Sequence, residues 1–219
     1  MAALTSPHWE AVSPAIQELI HDLGKSPLRA DFYLAGGTAL ALRIGHRRSF
    51  DLDIFSERDE VLAPTRRRIL HALAELKPQT LEEADGNLVL EVAGQRMGFF
   101  SYGYRLIEPA EDVAGVAIAS TVDLGLMKLD ALIGRGSRKD FYDLFFIARQ
   151  TPLSRLLELA KAKFPFARDF ELMAVESLVQ FENADRDLQP ELLIDGSWEE
   201  VKSFFEDQAQ TLGLTWFER

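Results

Sequence analysis

The chain has 219 residues, 47% hydrophobic, 10% aromatic and 27% charged, which suits one large or two small globular domains with a sizeable core. A formal net charge of −11 argues against specific duplex-DNA binding, because such surfaces draw affinity from neutralising phosphates. The absence of cysteine excludes disulfides and thiolate chemistry, no apolar run approaches the roughly 18 residues of a membrane span, and residues 1–9 lack the basic start and apolar stretch of a signal peptide.

A protein of the cytoplasm, with no membrane partner, is the expectation. Along the chain, Val12, Ile16, Leu19, Ile20 and Leu23 recur at helical spacing over residues 8–23, with Gly24 as the expected stop. The apolar run 32–35 reads as a buried strand entering the turn Gly36-Gly37, and Thr38 is placed to cap a helix that ends near Ile44. Residues 49–55 alternate and read as a second strand. Residues 58–76 read as helix, with Pro64 marking a kink or a break. The period then changes to that of strands at 80–83, 88–92 and 97–104, joined by tight turns at Asp85-Gly86-Asn87 and Gly94-Gln95. A short strand follows at 116–119.

From Thr121 the pattern is helical, in segments 121–133, 139–149, 152–164, 169–181 and 197–212, with Gly213 as a C-terminal stop. The composition therefore changes near residues 111–120. The expected fold class is α+β: a mixed sheet flanked by helices over residues 1–120, then a helical subdomain over 121–219 that completes an active-site cleft.

Chemistry concentrates first in Gly36-Gly37-Thr38 and in Ser49-Phe50-Asp51-Leu52-Asp53. Asp51 and Asp53 are two apart on a strand, so both carboxylates leave one face while Leu52 and Ile54 enter the core. Two carboxylates so close repel unless a cation lies between them, and a hard divalent ion uses one or two carboxylates together with substrate phosphates. The glycines let backbone approach a phosphate, and the helix start beyond them offers unpaired N–H groups. The cluster Arg43, His46, Arg47 and Arg48 adjoins these carboxylates, where its charge can act. Arg66, Arg67 and Arg68 read as a solvated helix face.

A second concentration lies in residues 124–145. Val122, Leu126, Leu129 and Ile133 form a core stripe, and Lys128 falls beside Leu124, Ala131 and Leu132. Its apolar setting fits either a stem laid along apolar surface or an ammonium held toward a phosphate. Asp140 and Asp143 share a face of the next helix. Asp140, near the helix start, also suits capping or pairing with Arg135 or Arg138.

These two motifs, in this order, resemble the AbiEii/AbiGii nucleotidyltransferase-like toxin family over residues 32–149. The resemblance implies a fold like that of the DNA polymerase β nucleotidyltransferases. It implies transfer of a nucleotide from a nucleoside triphosphate with Mg²⁺ (or Mn²⁺), to RNA such as tRNA or to protein, by the toxin of a toxin–antitoxin or phage-defence system with its cognate antitoxin. In these terms Asp51 and Asp53 hold the metal. Gly36, Gly37, Thr38, Ser49 and Arg138 bind nucleotide phosphates. Lys128, Asp140 and Asp143 join the two metal-binding aspartates as catalytic residues.

One position departs from that pattern. Gly98 stands where such enzymes carry a third carboxylate on a later strand, and Glu91 is a candidate substitute. That departure leaves Asp140 or Asp143 to fill the role, or else keeps open a catalytically impaired relative that only binds nucleotide or a partner. A small-molecule nucleotidyltransferase is a further alternative. Trp198 and Trp216 read as packing residues rather than stacking platforms.

Overall fold

The computed structural model describes residues 1–217, with side chains to residue 214. It divides into two compact units, Met1–Ser120 and Thr121–Arg219. The Trp216 side chain lies outside the described residues.

The first unit comprises α1 (Pro14–Lys25), β1 (Tyr33–Ala35), α2 (Gly36–Ile44), β2 (Asp51–Ser56), α3 (Ala63–Ala72), β3 (Gln79–Ala84), β4 (Asn87–Val92), β5 (Gln95–Ser101), β6 (Glu111–Val113) and β7 (Val116–Ile118). Its strands form a seven-stranded sheet in the order β3-β4-β5-β2-β1-β7-β6. The sheet is mixed: β1 runs antiparallel to β2 and parallel to β7, and β2 runs parallel to β5.

Alternation fixes the two faces. Leu52 and Ile54 are fully buried while Asp51, Asp53 and Phe55 are half-buried. Register then builds a transverse apolar row, Ile118, Leu34, Ile54, Phe99 and Leu88, across five strands. All five side chains are fully buried, each worth about 1.5–3 kcal/mol of apolar transfer. The α1 stripe Ile16, Leu19, Ile20 and Leu23 is buried as its spacing requires.

Several local expectations are corrected. Gly24 does not end α1, which runs to Lys25; it permits a close approach, since a Cβ there would stand 2.0 Å from the Ala114 carbonyl oxygen. Residues 58–62 are not helical, and Pro64 sits in the first turn of α3, where its missing N–H costs nothing. Arg66 is not solvated: it is buried and donates to Glu83, Asp85 and the carbonyls of Val61 and Ala84, tying α3 to the β3–β4 turn. The strand β6 has too few residues to show a period.

The second unit contains α4 (Thr121–Gly134), α5 (Arg138–Ala148), α6 (Leu153–Lys163), α7 (Phe170–Ser177), α8 (Glu182–Arg186) and α9 (Trp198–Phe217). Gly213 lies inside α9 rather than ending it. Phe141 meets Phe181, Trp198 and Phe205 with ring centroids 5.1–5.7 Å apart, an apolar cluster in which Trp198 is a packing residue as its sequence setting suggests. Asp123 and Lys163 form a fully buried ion pair of 2.7 Å between α4 and α6. Forty residues separate them, so no sequence spacing announces the pair.

Candidate active site

In the first unit the candidate residues converge on the end of β1 and the start of β2. Ala35 and Asp53 are register partners, so the turn that leaves β1 is beside Asp53. Gly36 has φ +65°, and a Cβ there would lie 2.5 Å from Asp53 Oδ2. Conformation and the neighbouring carboxylate therefore both require glycine. A Cβ on Gly37 would lie 2.5 Å from an Arg47 guanidinium nitrogen and 3.3 Å from Ser49 Oγ.

Thr38 is not the helix cap. The helix α2 begins at Gly36 with Ala35 before it and no side-chain cap. Thr38, in the first turn and fully buried, instead donates its hydroxyl to the Asp51 carbonyl oxygen and shares a 2.9 Å hydrogen bond with the Ser49 hydroxyl. The two hydroxyls thus lace the first turn of α2 to the strand that carries the carboxylates. The leading peptide N–H groups of α2 are consequently held beside Asp51 and Asp53.

The other side of Asp53 explains the departure at Gly98. Gly98 is the β5 register partner of Asp53, so its side-chain position is next to that carboxylate on the same face. A Cβ there would be 2.4 Å from both Cε2 and Cζ of Phe100. The Phe100 ring fills the space in which a third carboxylate would stand. Glu91 does not replace it: it pairs with Arg96, which pairs with Asp51, placing Glu91 two strand spacings, about 10 Å, from β2. Among the described residues no group of three or more histidine, cysteine or acidic side chains is placed to hold a metal. Asp51 and Asp53 alone are two hard oxygen donors on one half-buried face, a set that fits one divalent cation completed by nucleotide phosphates.

In the second unit Lys128 is 5% exposed, flanked by buried Leu124 and Leu132. Its Nζ is 2.8 Å from Asp140 Oδ1 and 2.6 Å from Asp143 Oδ2. Asp140 also accepts from Arg135 at 2.7 and 2.8 Å and from the Ser137 hydroxyl at 2.5 Å. Burial alone would raise the Asp140 carboxyl, but the charges and hydrogen bonds of Lys128 and Arg135 outweigh it and hold the group well below the usual carboxylate range. Asp140 is thus an ionised anchor. Arg138 donates from Nε to the Ala184 carbonyl and from one terminal nitrogen to the Asp185 carbonyl, and lies 5.0 Å from the Trp198 ring centroid.

The structure therefore brings Gly36, Gly37, Thr38, Ser49, Asp51 and Asp53 together in one unit and Lys128, Asp140 and Asp143 together in the other. Sequence reasoning did not single out the convergence of Arg47 on Gly37. Its only signal was membership of a basic cluster.

Comparison with known proteins agrees with this fold. A family model described as nucleotidyl transferase AbiEii toxin, Type IV TA system, matches residues 18–213. An uncharacterized protein of Aquifex aeolicus (strain VF5) is 38% identical over 180 residues, covering 80% of this chain and 84% of its own. The structure of the nucleotidyltransferase toxin MenT4 of Mycobacterium tuberculosis H37Rv is similar with a TM-score of 0.64 at 17% identity, over 91% of this chain and 82% of its own. That of the antibiotic-resistance factor ANT(2'')-Ia is similar with a TM-score of 0.53 at 16% identity, over 67% and 90% respectively. The architecture is nucleotidyltransferase-like, of α+β class.

Proposed function

The chain belongs to the nucleotidyl transferase AbiEii toxin family, and from that premise we propose that it is a Mg²⁺-dependent toxin transferring a nucleotide from a nucleoside triphosphate to an RNA acceptor such as tRNA. The observation that carries the reading is the placement of Asp51 and Asp53 on the half-buried face of β2, against the turn that opens α2.

Asp51 and Asp53 would hold the cation, which when bound neutralises phosphate charge. The Gly36-Gly37 turn presents the first N–H groups of α2 to the triphosphate, and the Thr38–Ser49 hydrogen bond fixes that turn. In the reaction an acceptor hydroxyl oxygen bonds to the α-phosphorus, the bond to the bridging oxygen breaks, pyrophosphate leaves, and the hydroxyl proton passes to solvent. Lys128 is kept as a candidate cation within the second unit. Asp140 and Asp143 act through Lys128, holding its ammonium in place, and are positioning residues. Arg138 is not assigned to phosphate, since its Nε and one terminal nitrogen already donate to the Ala184 and Asp185 carbonyls of its own unit. The family's description as one half of a toxin–antitoxin system supports a cognate antitoxin as partner.

The test is transfer of label from each of four radiolabelled triphosphates to total RNA, with Mg²⁺ and with chelator. Label should appear in RNase-sensitive material, need the cation, and vanish in Asp53→Asn. Equal labelling by wild type and Asp53→Asn overturns the assignment of the carboxylates. Label in protease-sensitive material overturns the RNA acceptor.

A further inference from the structure

The basic cluster next to the carboxylates resolves into four different environments. Arg43 is engaged at the far end of α2, where it donates to Glu111 at 2.5 Å and to the Ala119 carbonyl at 2.6 Å. His46 is fully buried, and Arg48 is exposed. Arg47 differs from all three. It is 5% exposed, and its guanidinium reaches back over Gly37 in the first turn of α2.

The geometry at Gly37 is specific. One guanidinium nitrogen of Arg47, its Cζ and the Ser49 hydroxyl lie 2.5, 3.5 and 3.3 Å from the point a Cβ of residue 37 would occupy. A side chain at residue 37 would displace the Arg47 guanidinium, which occupies that volume. A second guanidinium nitrogen donates to the Arg48 carbonyl at 2.9 Å, which holds the fork in place. Arginine stays charged when buried, so a permanent cation is fixed against the first turn of α2. That turn already carries the positive end of the helix and its unpaired N–H groups.

We propose that Arg47 is a positioning residue of the nucleotide subsite: it fixes the Gly36-Gly37 turn and adds a buried positive charge that selects for the triphosphate over less charged nucleotides. This inference rests on the reading of that turn as a phosphate cradle. Arg47 acts through the field it places on the cradle and through its packing on Gly37. Its effect should consequently grow with the number of phosphates on the ligand. A purely structural role would weaken all nucleotides alike.

The experiment is calorimetry of the full chain with a nucleoside triphosphate and with the matching monophosphate, both with Mg²⁺. Wild type, Arg47→Met and Arg47→Lys are compared, with melting curves to establish that each is folded. Arg47→Met should weaken the triphosphate at least about tenfold and the monophosphate by much less. Arg47→Lys keeps the charge but not the fork, and should fall between. Should Arg47→Met not fold, Arg47→Lys alone decides by the same ratio. Equal losses for the two ligands, or no loss for either, overturn the inference. A wild-type chain that binds no triphosphate overturns the proposed function itself. A wild type that binds tightly beside unaffected variants removes only the role of Arg47.

Discussion

Two pairs of aspartates, one in each unit, differ in geometry and burial. Asp51 and Asp53 sit two apart on a strand, half-buried, with a glycine turn on one side and the Gly98–Phe100 pair on the other. Asp140 and Asp143 sit three apart on a helix, with fully buried side chains, and close on one lysine at 2.8 and 2.6 Å. The first pair is partly exposed on one face of β2. The second has its counter-charge built into the fold. On the proposed reading, chemistry belongs to the first pair, while the second pair holds Lys128.

Removing Lys128 should break the buried arrangement most severely. Lys128→Met leaves two buried carboxylates without their shared cation, which costs about 3–5 kcal/mol. Urea unfolding would show it as a lower midpoint at unchanged slope. Asp53→Asn should do the reverse. Its stability should fall less than that of Lys128→Met, because Asp53 is half-buried and the Lys128 site almost fully buried, while transfer falls by at least about a hundredfold, since even outer partners of a metal ligand are worth 10- to 100-fold. If Asp53→Asn proves the less stable of the two variants, the contrast between the pairs collapses.

Next in size is the plugged position beside Asp53. Gly98→Ala drives a methyl to within 2.4 Å of the Phe100 ring, so the ring must move, at about 1–3 kcal/mol. Phe100→Ala opens the space. Gly98→Asp with Phe100→Ala should therefore fold better than Gly98→Asp alone, and should bind Mn²⁺ more tightly than wild type, read by titration calorimetry. An unchanged Mn²⁺ affinity in a folded double variant would mean that Asp53 does not face the metal.

The sequence was most legible where one element carried the whole signal. The alternation of Asp51, Leu52, Asp53 and Ile54 has a period of two, and a half-buried strand permits one orientation for it. The apolar setting of Lys128 was equally visible, because Leu124 and Leu132 stand one turn to either side. What could not be read depended on neighbours distant in sequence. Thr38 has the chemistry of a cap, yet its hydroxyl is taken by Ser49, just before β2, and by the carbonyl of Asp51, the first residue of β2. Gly98 stood out as a missing acid, but only the strand register shows that Phe100 fills the gap. Gly24 and Gly213 resembled helix stops, although tertiary packing at the first and helix continuation at the second overrode that local preference. The shared clamp of Asp140 and Asp143 on Lys128 required two helices to meet.

The smallest effect tests the anchoring of Asp140 by pH alone. Asp140 is held below the usual carboxylate range in the folded chain, despite burial, by Lys128 and Arg135. The unfolded chain, with an ordinary value of about 3.9, therefore binds the proton first as pH falls. Stability rises with pH wherever the unfolded state binds more protons, so the contribution of Asp140 is complete above about pH 5 and shrinks as pH drops through 4 toward the lower folded value. Asp140→Asn lacks this term. Wild type should melt above Asp140→Asn at pH 7, and the gap should narrow between pH 5 and pH 3. Because Arg135 is largely exposed, added salt should trim the gap only through that partner, leaving the buried Lys128 contact intact. A gap independent of pH would mean that Asp140 contributes through packing and hydrogen-bond shape rather than through its charge.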